Sequence, residues 1–355
     1  MKLLSVLIRL LLLPVSLLYG LVTEIRNLLF HLKWLPVYHS KLAVISVGNL
    51  TAGGTGKTPF TIWLAGQLAN EYQVAVVSRG YRRKSKGLKV VANRGQILAS
   101  PEEVGDEPFL IARKLKNVTV LVAEKRKQAL QWLEQNCAAQ VVILDDGFQH
   151  RHVHRDVEII LFKRAWQFYF NFMLPTGSWR EFPWHIRRAH FVVLPEKQQL
   201  PFIRPQNQFQ VKARSQMLVD CYFKPIKALQ EMKGEPVAVF AGIAQPGLFF
   251  KQLNDLELKV ARSFSFKDHH HFSKKDIEKM FDVCRQEKIK YLLCTEKDLV
   301  KVCNLLQEES SGKLEEVTLA AVDYCWQVLD GERLVSQIKK TIDKKLKKYY
   351  ISDSI

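Results

Sequence analysis

The sequence has six cysteines, at positions 137, 221, 284, 294, 303 and 325, but no C-x-x-C pair. That absence excludes the familiar zinc-site spacings. The scatter predicts free thiols in a reducing compartment rather than a disulfide framework. Acidic residues are outnumbered, 35 against 53 basic ones, for a formal net charge of +18. Such an excess calls for a polyanionic partner: nucleic acid, an anionic membrane or a phosphorylated substrate. No zinc-finger, RRM or other nucleic-acid signature is present, so nucleic acid is not expected among the partners. There is no internal repeat. No A-x-A-like cleavage site follows the first hydrophobic segment, which argues against a removable signal peptide. With 355 residues and 47% hydrophobic content, the chain has enough apolar material for a sizeable core and two domains.

The longest apolar run is at the N-terminus, where residues 3–22 read LLSVLIRLLLLPVSLLYGLV. It is nearly long enough to cross a bilayer, but Arg9, Pro14 and Gly20 interrupt it. From Leu21 the pattern turns amphipathic, with Leu21, Ile25, Leu28, Leu29 and Leu32 set against Arg26 and Lys33. This predicts a helix over 2–33 that dips into one leaflet or packs beside it. A true span and a buried helix are the alternatives. Residues 1–35 are therefore read as a membrane-associated helix.

After Pro36 short apolar runs alternate with helical patterns. Leu42–Val47, Val74–Val77, Val118–Val122, Val141–Leu144, Ile159–Phe162 and Phe191–Leu194 read as buried strands. The alternation predicts an α/β fold, a P-loop NTPase-type parallel sheet flanked by helices, over 36–205. Residues 196–210, with two prolines and five glutamines, read as a linker. Pro236–Phe240, Tyr291–Cys294 and Val317–Val322 predict a second, smaller α/β domain within 206–355, ending in a basic tail. In that tail Leu334, Ile338, Ile342 and Leu346 recur every four residues. The helix they predict either lies on a surface or packs on the domain.

The strongest motif is GNLTAGGTGKT at 48–58, between a predicted strand and a predicted helix. Backbone N–H groups of Thr51, Ala52, Gly53, Gly54, Thr55 and Gly56 would curl around phosphate oxygens at a helix N-terminus. Lys57 would reach the β- and γ-phosphates of ATP, and the Thr58 hydroxyl would bind Mg²⁺. The usual P-loop pattern has glycine where this chain has Thr51, so Gly53 and Gly54 are expected to provide the permissive backbone. Asp145 and Asp146 directly follow an apolar strand, the form of a Walker B element, and either can hold Mg²⁺.

Eight strings, taken together, resemble the tetraacyldisaccharide 4′-kinase (lipid A 4′-kinase) family. They are SVGNLTAGGTGKTP (46–59), SRGYRR (78–83), VGDEP (104–108), EKR (124–126), LDDGFQHR (144–151), LPTGSWRE (174–181), DHHHF (268–272) and TEKD (295–298). The resemblance implies transfer of the ATP γ-phosphoryl group to the 4′-hydroxyl of an acylated glucosamine disaccharide 1-phosphate, giving lipid IVA. It also implies work at the cytoplasmic face of a bacterial inner membrane. It implies that Asp106 is the catalytic base and His269 its partner, with the choice among His269, His270 and His271 open. Glu107 becomes a further Mg²⁺ or charge-positioning candidate. Tyr81, Arg126 and His150 match positions lining the site, with a buried core tyrosine the alternative for Tyr81. Arg180 and Glu181 are matched to the sugar or its phosphate, with an exposed ion pair as the alternative. The competing functional reading is a membrane-associated P-loop ATPase that switches a protein partner.

Overall fold

The computed structural model describes residues 2–169, 171–268, 270–307 and 316–350. Among the described residues the strands form two sheets, one of ten strands and one of six. The larger runs, in spatial order, β16 (Cys325–Leu329), β9 (Gln208–Arg214), β8 (Phe191–Pro195), β7 (Val157–Leu161), β1 (Ala43–Gly48), β6 (Val141–Asp145), β2 (Val74–Ser78), β5 (Thr119–Val122), β3 (Lys89–Asn93) and β4 (Gln96–Ile97). From β9 to β5 all neighbours are parallel, and antiparallel strands close both edges. The smaller sheet runs β11 (Pro225–Ala228), β10 (Met217–Val219), β15 (Thr318–Val322), β14 (Tyr291–Thr295), β12 (Pro236–Ala241) and β13 (Lys259–Ser265). The helices are α1 (Lys2–His31), α2 (Lys57–Leu68), α3 (Pro101–Val104), α4 (Asp106–Lys114), α5 (Arg126–Asn136), α6 (Pro246–Asp255), α7 (Lys274–Gln286), α8 (Glu296–Gln307) and α9 (Gly331–Tyr350).

The central strands are continuous apolar runs because both faces of the sheet are covered. Along β1, Ala43, Ile45 and Val47 enter the core that α2 and α9 cover, while Val44 faces the core built with Ala129, Leu130 and Leu133 of α5. The tail helix α9 packs on the domain: Leu334, Ile338 and Ile342 are buried.

Two expectations differ from this architecture. The expected boundary near residue 205 precedes β9, which pairs with β8 in the larger sheet, and β16 and α9 return to that same unit. The smaller sheet's elements therefore lie between residues 217 and 322, and two short crossings, 215–216 and 323–324, lead into and out of them. The Asp323 carboxylate ties the crossings by accepting from the Gln216 and Met217 N–H groups at 2.7 and 2.9 Å. The glutamines read as linker residues bind backbone instead. Gln208 bonds both the N–H and the carbonyl of Leu200, and Gln210 accepts from the Lys197 N–H. The second difference is a disulfide, Cys221–Cys303, with Cα atoms 5.5 Å apart. Folding brings together two positions 82 residues apart, which local spacing does not reveal.

Helix α1 inverts the usual amphipathic arrangement. Its inward stripe of Ser16, Gly20, Thr23, Asn27 and Phe30 is mostly small or polar. The Ser16 and Thr176 hydroxyls are 2.9 Å apart, the Tyr19 hydroxyl donates to the Arg180 carbonyl at 3.1 Å, and the Asn27 amide donates to Glu181 at 3.0 Å. A Cβ at Gly20 would come within 2.8 Å of the Phe182 ring, so the helix lies close against that loop. Leu10, Leu11, Leu17, Leu18, Leu21, Val22, Ile25 and Leu28 are exposed on the other side. The segment Arg9–His31 is long and apolar enough to cross a membrane, with a mean hydropathy of 1.3.

Candidate active site

The phosphate loop leaves β1 and enters α2, and Gly56 caps the helix with a left-handed φ of 77°. Gly56 has a second constraint: a Cβ there would stand 2.4 Å from the Trp326 ring. The Trp326 indole N–H donates to the Gly56 carbonyl at 2.8 Å, fixing the peptide that precedes Lys57. Of the two glycines expected to relax the loop, Gly53 has a φ of 103°, whereas Gly54 is not among the positive-φ glycines. Thr51, in place of the usual glycine, is buried and bridges Trp179. The Ala52 N–H donates to the Ser178 carbonyl at 2.6 Å. Inside the loop the fully buried Asn49 amide donates to the Thr51 carbonyl (2.5 Å) and the Thr55 hydroxyl (3.1 Å). Asn49 and Ser178 lie in strings the sequence singles out, but their roles, like that of Trp326, come from contacts that the fold creates.

Parallel pairing of β1 with β6 brings Asp145 and Asp146 beside Lys57. Asp145 ends β6, is buried, and accepts from the Thr61 hydroxyl at 3.2 Å. Burial, then the charges of Glu107 and Asp146, push its carboxyl up to about 7. Asp146 turns out of the strand with a φ of 52°. Its carboxylate meets the Lys57 ammonium at 3.5 Å and accepts from the Arg180 guanidinium at 2.9 and 3.0 Å. Burial opposes ionisation there, but Lys57 and Arg180 outweigh it and hold the carboxyl below its usual range.

Arg126 begins α5, buried, and donates to the carbonyls of Ala123 (2.6 Å) and Asp145 (3.3 Å). Burial lowers it to about 10, with Asp145 and Asp146 opposing, so it stays charged at neutral pH. His150 is lowered to about 4 by burial and then by Arg126, which keeps the ring neutral at pH 7. Tyr81 follows β2 and is 64% exposed, so it is not a core tyrosine. The Arg82 guanidinium lies 5.3 Å from the centre of its ring.

Asp106 and Glu107 open α4, after Gly105 with a φ of 93°. Both meet lysines of the smaller unit: the Lys301 ammonium is 3.5 Å from Asp106, and Lys297 donates to Glu107. Burial would raise Glu107, but Lys297 and then Lys57 hold it below the usual carboxylate range. His269 lies outside the described residues. The neighbouring His270 stacks on Phe266 and approaches Asp276 at 3.3 Å.

Arg180 and Glu181 face opposite ways. Arg180 joins Asp146 beside the phosphate loop. Glu181 is 0% exposed and receives bonds from Asn27, Arg26 (3.3 Å) and Arg188 (2.8 Å). The expectation of a sugar contact for Glu181 thus gives way to an anchor for α1, because its buried carboxylate is already taken up by Asn27, Arg26 and Arg188.

The oxygen donors suit a hard dication. Asp145 is pushed up by burial and then by the carboxylates of Glu107 and Asp146, and a cation would favour its charged form; Thr58 sits one residue after Lys57. Among the described residues no three Asp, Glu, His or Cys side chains converge on one point. Phosphate oxygens would have to complete the coordination.

The profile of the family described as tetraacyldisaccharide-1-P 4′-kinase matches residues 8–343. A tetraacyldisaccharide 4′-kinase of Cytophaga hutchinsonii is 37% identical over 318 residues, covering 86% of this chain and 89% of the relative. One of Aquifex aeolicus is 37% identical over 293 residues, covering 82% and 89%. The crystal structure of the Aquifex aeolicus protein in complex with ATP aligns with a TM-score of 0.80 at 33% identity, covering 94% of this chain and 99% of that one. On this evidence of profile, sequence and fold, the chain belongs to the tetraacyldisaccharide 4′-kinase family.

Proposed function

We propose that the chain transfers the γ-phosphoryl group of ATP to the 4′-hydroxyl of tetraacyldisaccharide 1-phosphate, forming lipid IVA. The P–O bond to the β-phosphate breaks, a P–O bond to the 4′ oxygen forms, and ADP leaves. Asp106 takes the hydroxyl proton as that bond forms. Lys57 and the loop N–H groups hold the phosphates, while Arg126 adds fixed positive charge behind Asp145. Thr58, Asp145 and Asp146, with Glu107 nearby, hold Mg²⁺, which neutralises phosphate charge when bound. His269 tunes Asp106, and Tyr81, His150 and Arg180 line the disaccharide side.

The observation that carries this reading is the loop at 174–181. Its Ser178 carbonyl and Trp179 hold the phosphate loop, while its Thr176 and Glu181 hold α1. A groove of about 540 Å³ lies between Arg9 and Leu12 of α1 and residues 171 and 175–178 of that region. A phosphoryl donor site thus adjoins an apolar helix, the combination that a lipid acceptor requires. The exposed leucines of α1 dip into the cytoplasmic leaflet of the inner membrane; fully burying each is worth roughly 1.5–3 kcal/mol.

The test is to supply purified protein in detergent with labelled ATP and Mg²⁺, with and without tetraacyldisaccharide 1-phosphate. The label is expected on the lipid. Phosphate release that is indifferent to the lipid would favour a switching ATPase instead.

A further inference from the structure

The TEKD string at 295–298 opens α8. Three of its side chains serve the local fold. Thr295 and Asp298 bond each other (2.7 Å), and buried Asp298 also accepts from the Gly242 N–H at 3.1 Å. Glu296 receives Lys114 of α4 at 2.7 Å. The start of α8 is therefore held firmly toward α4. Lys297 is the exception: its side chain remains 39% exposed and reaches across to Glu107.

Geometry places that ammonium at the edge of the site's charged groups: it donates to Glu107, which opens α4 beside Asp106, the carboxylate that Lys301 meets at 3.5 Å. Lys301, one turn on, differs. It is 12% exposed, shared between Asp298 (3.4 Å) and Asp106 (3.5 Å), and lies over the Phe272 ring. Lys301 is held between two carboxylates, whereas the Lys297 side chain, bonded to Glu107, is the more exposed of the two.

We propose that Lys297 is a phosphate-contacting residue of the smaller unit, which leaves Glu107 for the γ-phosphoryl group when ATP binds. This rests on the assignment of Lys57 to the phosphates. ATP brings about four negative charges and its Mg²⁺ returns two, so the cluster gains net negative charge on loading. An ammonium already poised at its edge offsets that gain. It also stabilises charge on the transferred group, as a cation supplied from outside the P-loop does in other phosphoryl transferases.

The experiment measures Mg·ATP and Mg·ADP binding by calorimetry in detergent for the full chain, Lys297→Met, Lys297→Arg and Lys57→Ala, together with turnover. Lys297→Met is expected to weaken ATP on the order of tenfold while ADP changes less than twofold, because only ATP carries the contacted group. Turnover should fall on the order of a hundredfold, with part restored in Lys297→Arg. Equal weakening of ATP and ADP, or unchanged ATP affinity, overturns the proposal and leaves Lys297 as an inter-unit ion pair. If Lys57→Ala binds ATP as the unaltered chain does, the phosphate-loop assignment fails instead. Should Lys297→Met not fold, Lys297→Gln carries the same comparison.

Discussion

Two adjacent-acid pairs meet near the phosphate loop, and they are built differently. Asp145–Asp146 ends a central parallel strand and is answered by Lys57 and Arg180, both from the larger unit. Asp106–Glu107 opens a helix and is answered by Lys301 and Lys297, both from the smaller unit. The first pair is complete within one sheet and its loops. The second takes the ion-pair partners Lys301 and Lys297 from the other unit. The ion pairs beside the phosphate loop thus lie within the larger unit, whereas those at the start of α4, where we place acceptor activation and the Lys297 contact to ATP, depend on how the two units meet.

The largest expected effect is at the first pair. Lys57→Ala should lower turnover on the order of 10²-fold or more while the protein stays folded, checked by steady-state kinetics and circular dichroism. A folded variant with near-normal turnover would remove the contrast. Next is the anchor beneath the site. Glu181→Ala strands Arg188 and Asn27 beside a buried hole and should cost about 3 kcal/mol of stability, read by denaturant unfolding in detergent. A loss confined to activity would return Glu181 to the substrate.

Lys301→Met sharpens the second pair. Turnover is expected to fall roughly tenfold with ATP affinity unchanged, since the lysine's ion pairs are with Asp106 and Asp298. Weakened ATP binding would merge the two pairs into one unit. The smallest effect on chemistry is expected at α1. Replacing Leu17, Leu21 and Ile25 with serine should move the protein from the membrane to the soluble fraction while detergent-phase turnover stays within about twofold. Retention on membranes would shift the anchor elsewhere.

What the sequence made legible follows the range of each interaction. The phosphate loop and Asp145–Asp146 were readable because strand, turn and helix cues lie within a few residues of the groups they position. The parallel sheet was readable from uninterrupted apolar runs. Strands β9 and β16 were not: β9 starts within a glutamine-bearing stretch that reads as linker, and the edge strand β16 finds its partner β9 more than a hundred residues away. Distance likewise hid the pairing of Lys297, though its TEKD string stood out, and of Lys301 with α4, 190 positions or more upstream. Glu181 shows a different limit: its position beside Arg180 carries no information about which side of the chain it faces. The disulfide between Cys221 and Cys303 was invisible to spacing for the reason that hid the lysines.

The division of labour between the pairs is tested most directly at Asp106. ATP affinity and turnover would be measured together for Asp106→Ala, with and without His269→Ala. The account predicts ATP binding close to that of the unaltered chain, and turnover lower on the order of 10²-fold or more. It also predicts a double variant little worse than the more damaged single one. Turnover near normal in Asp106→Ala would contradict the assignment of the base, and with it the claim that acceptor activation lies at the second pair.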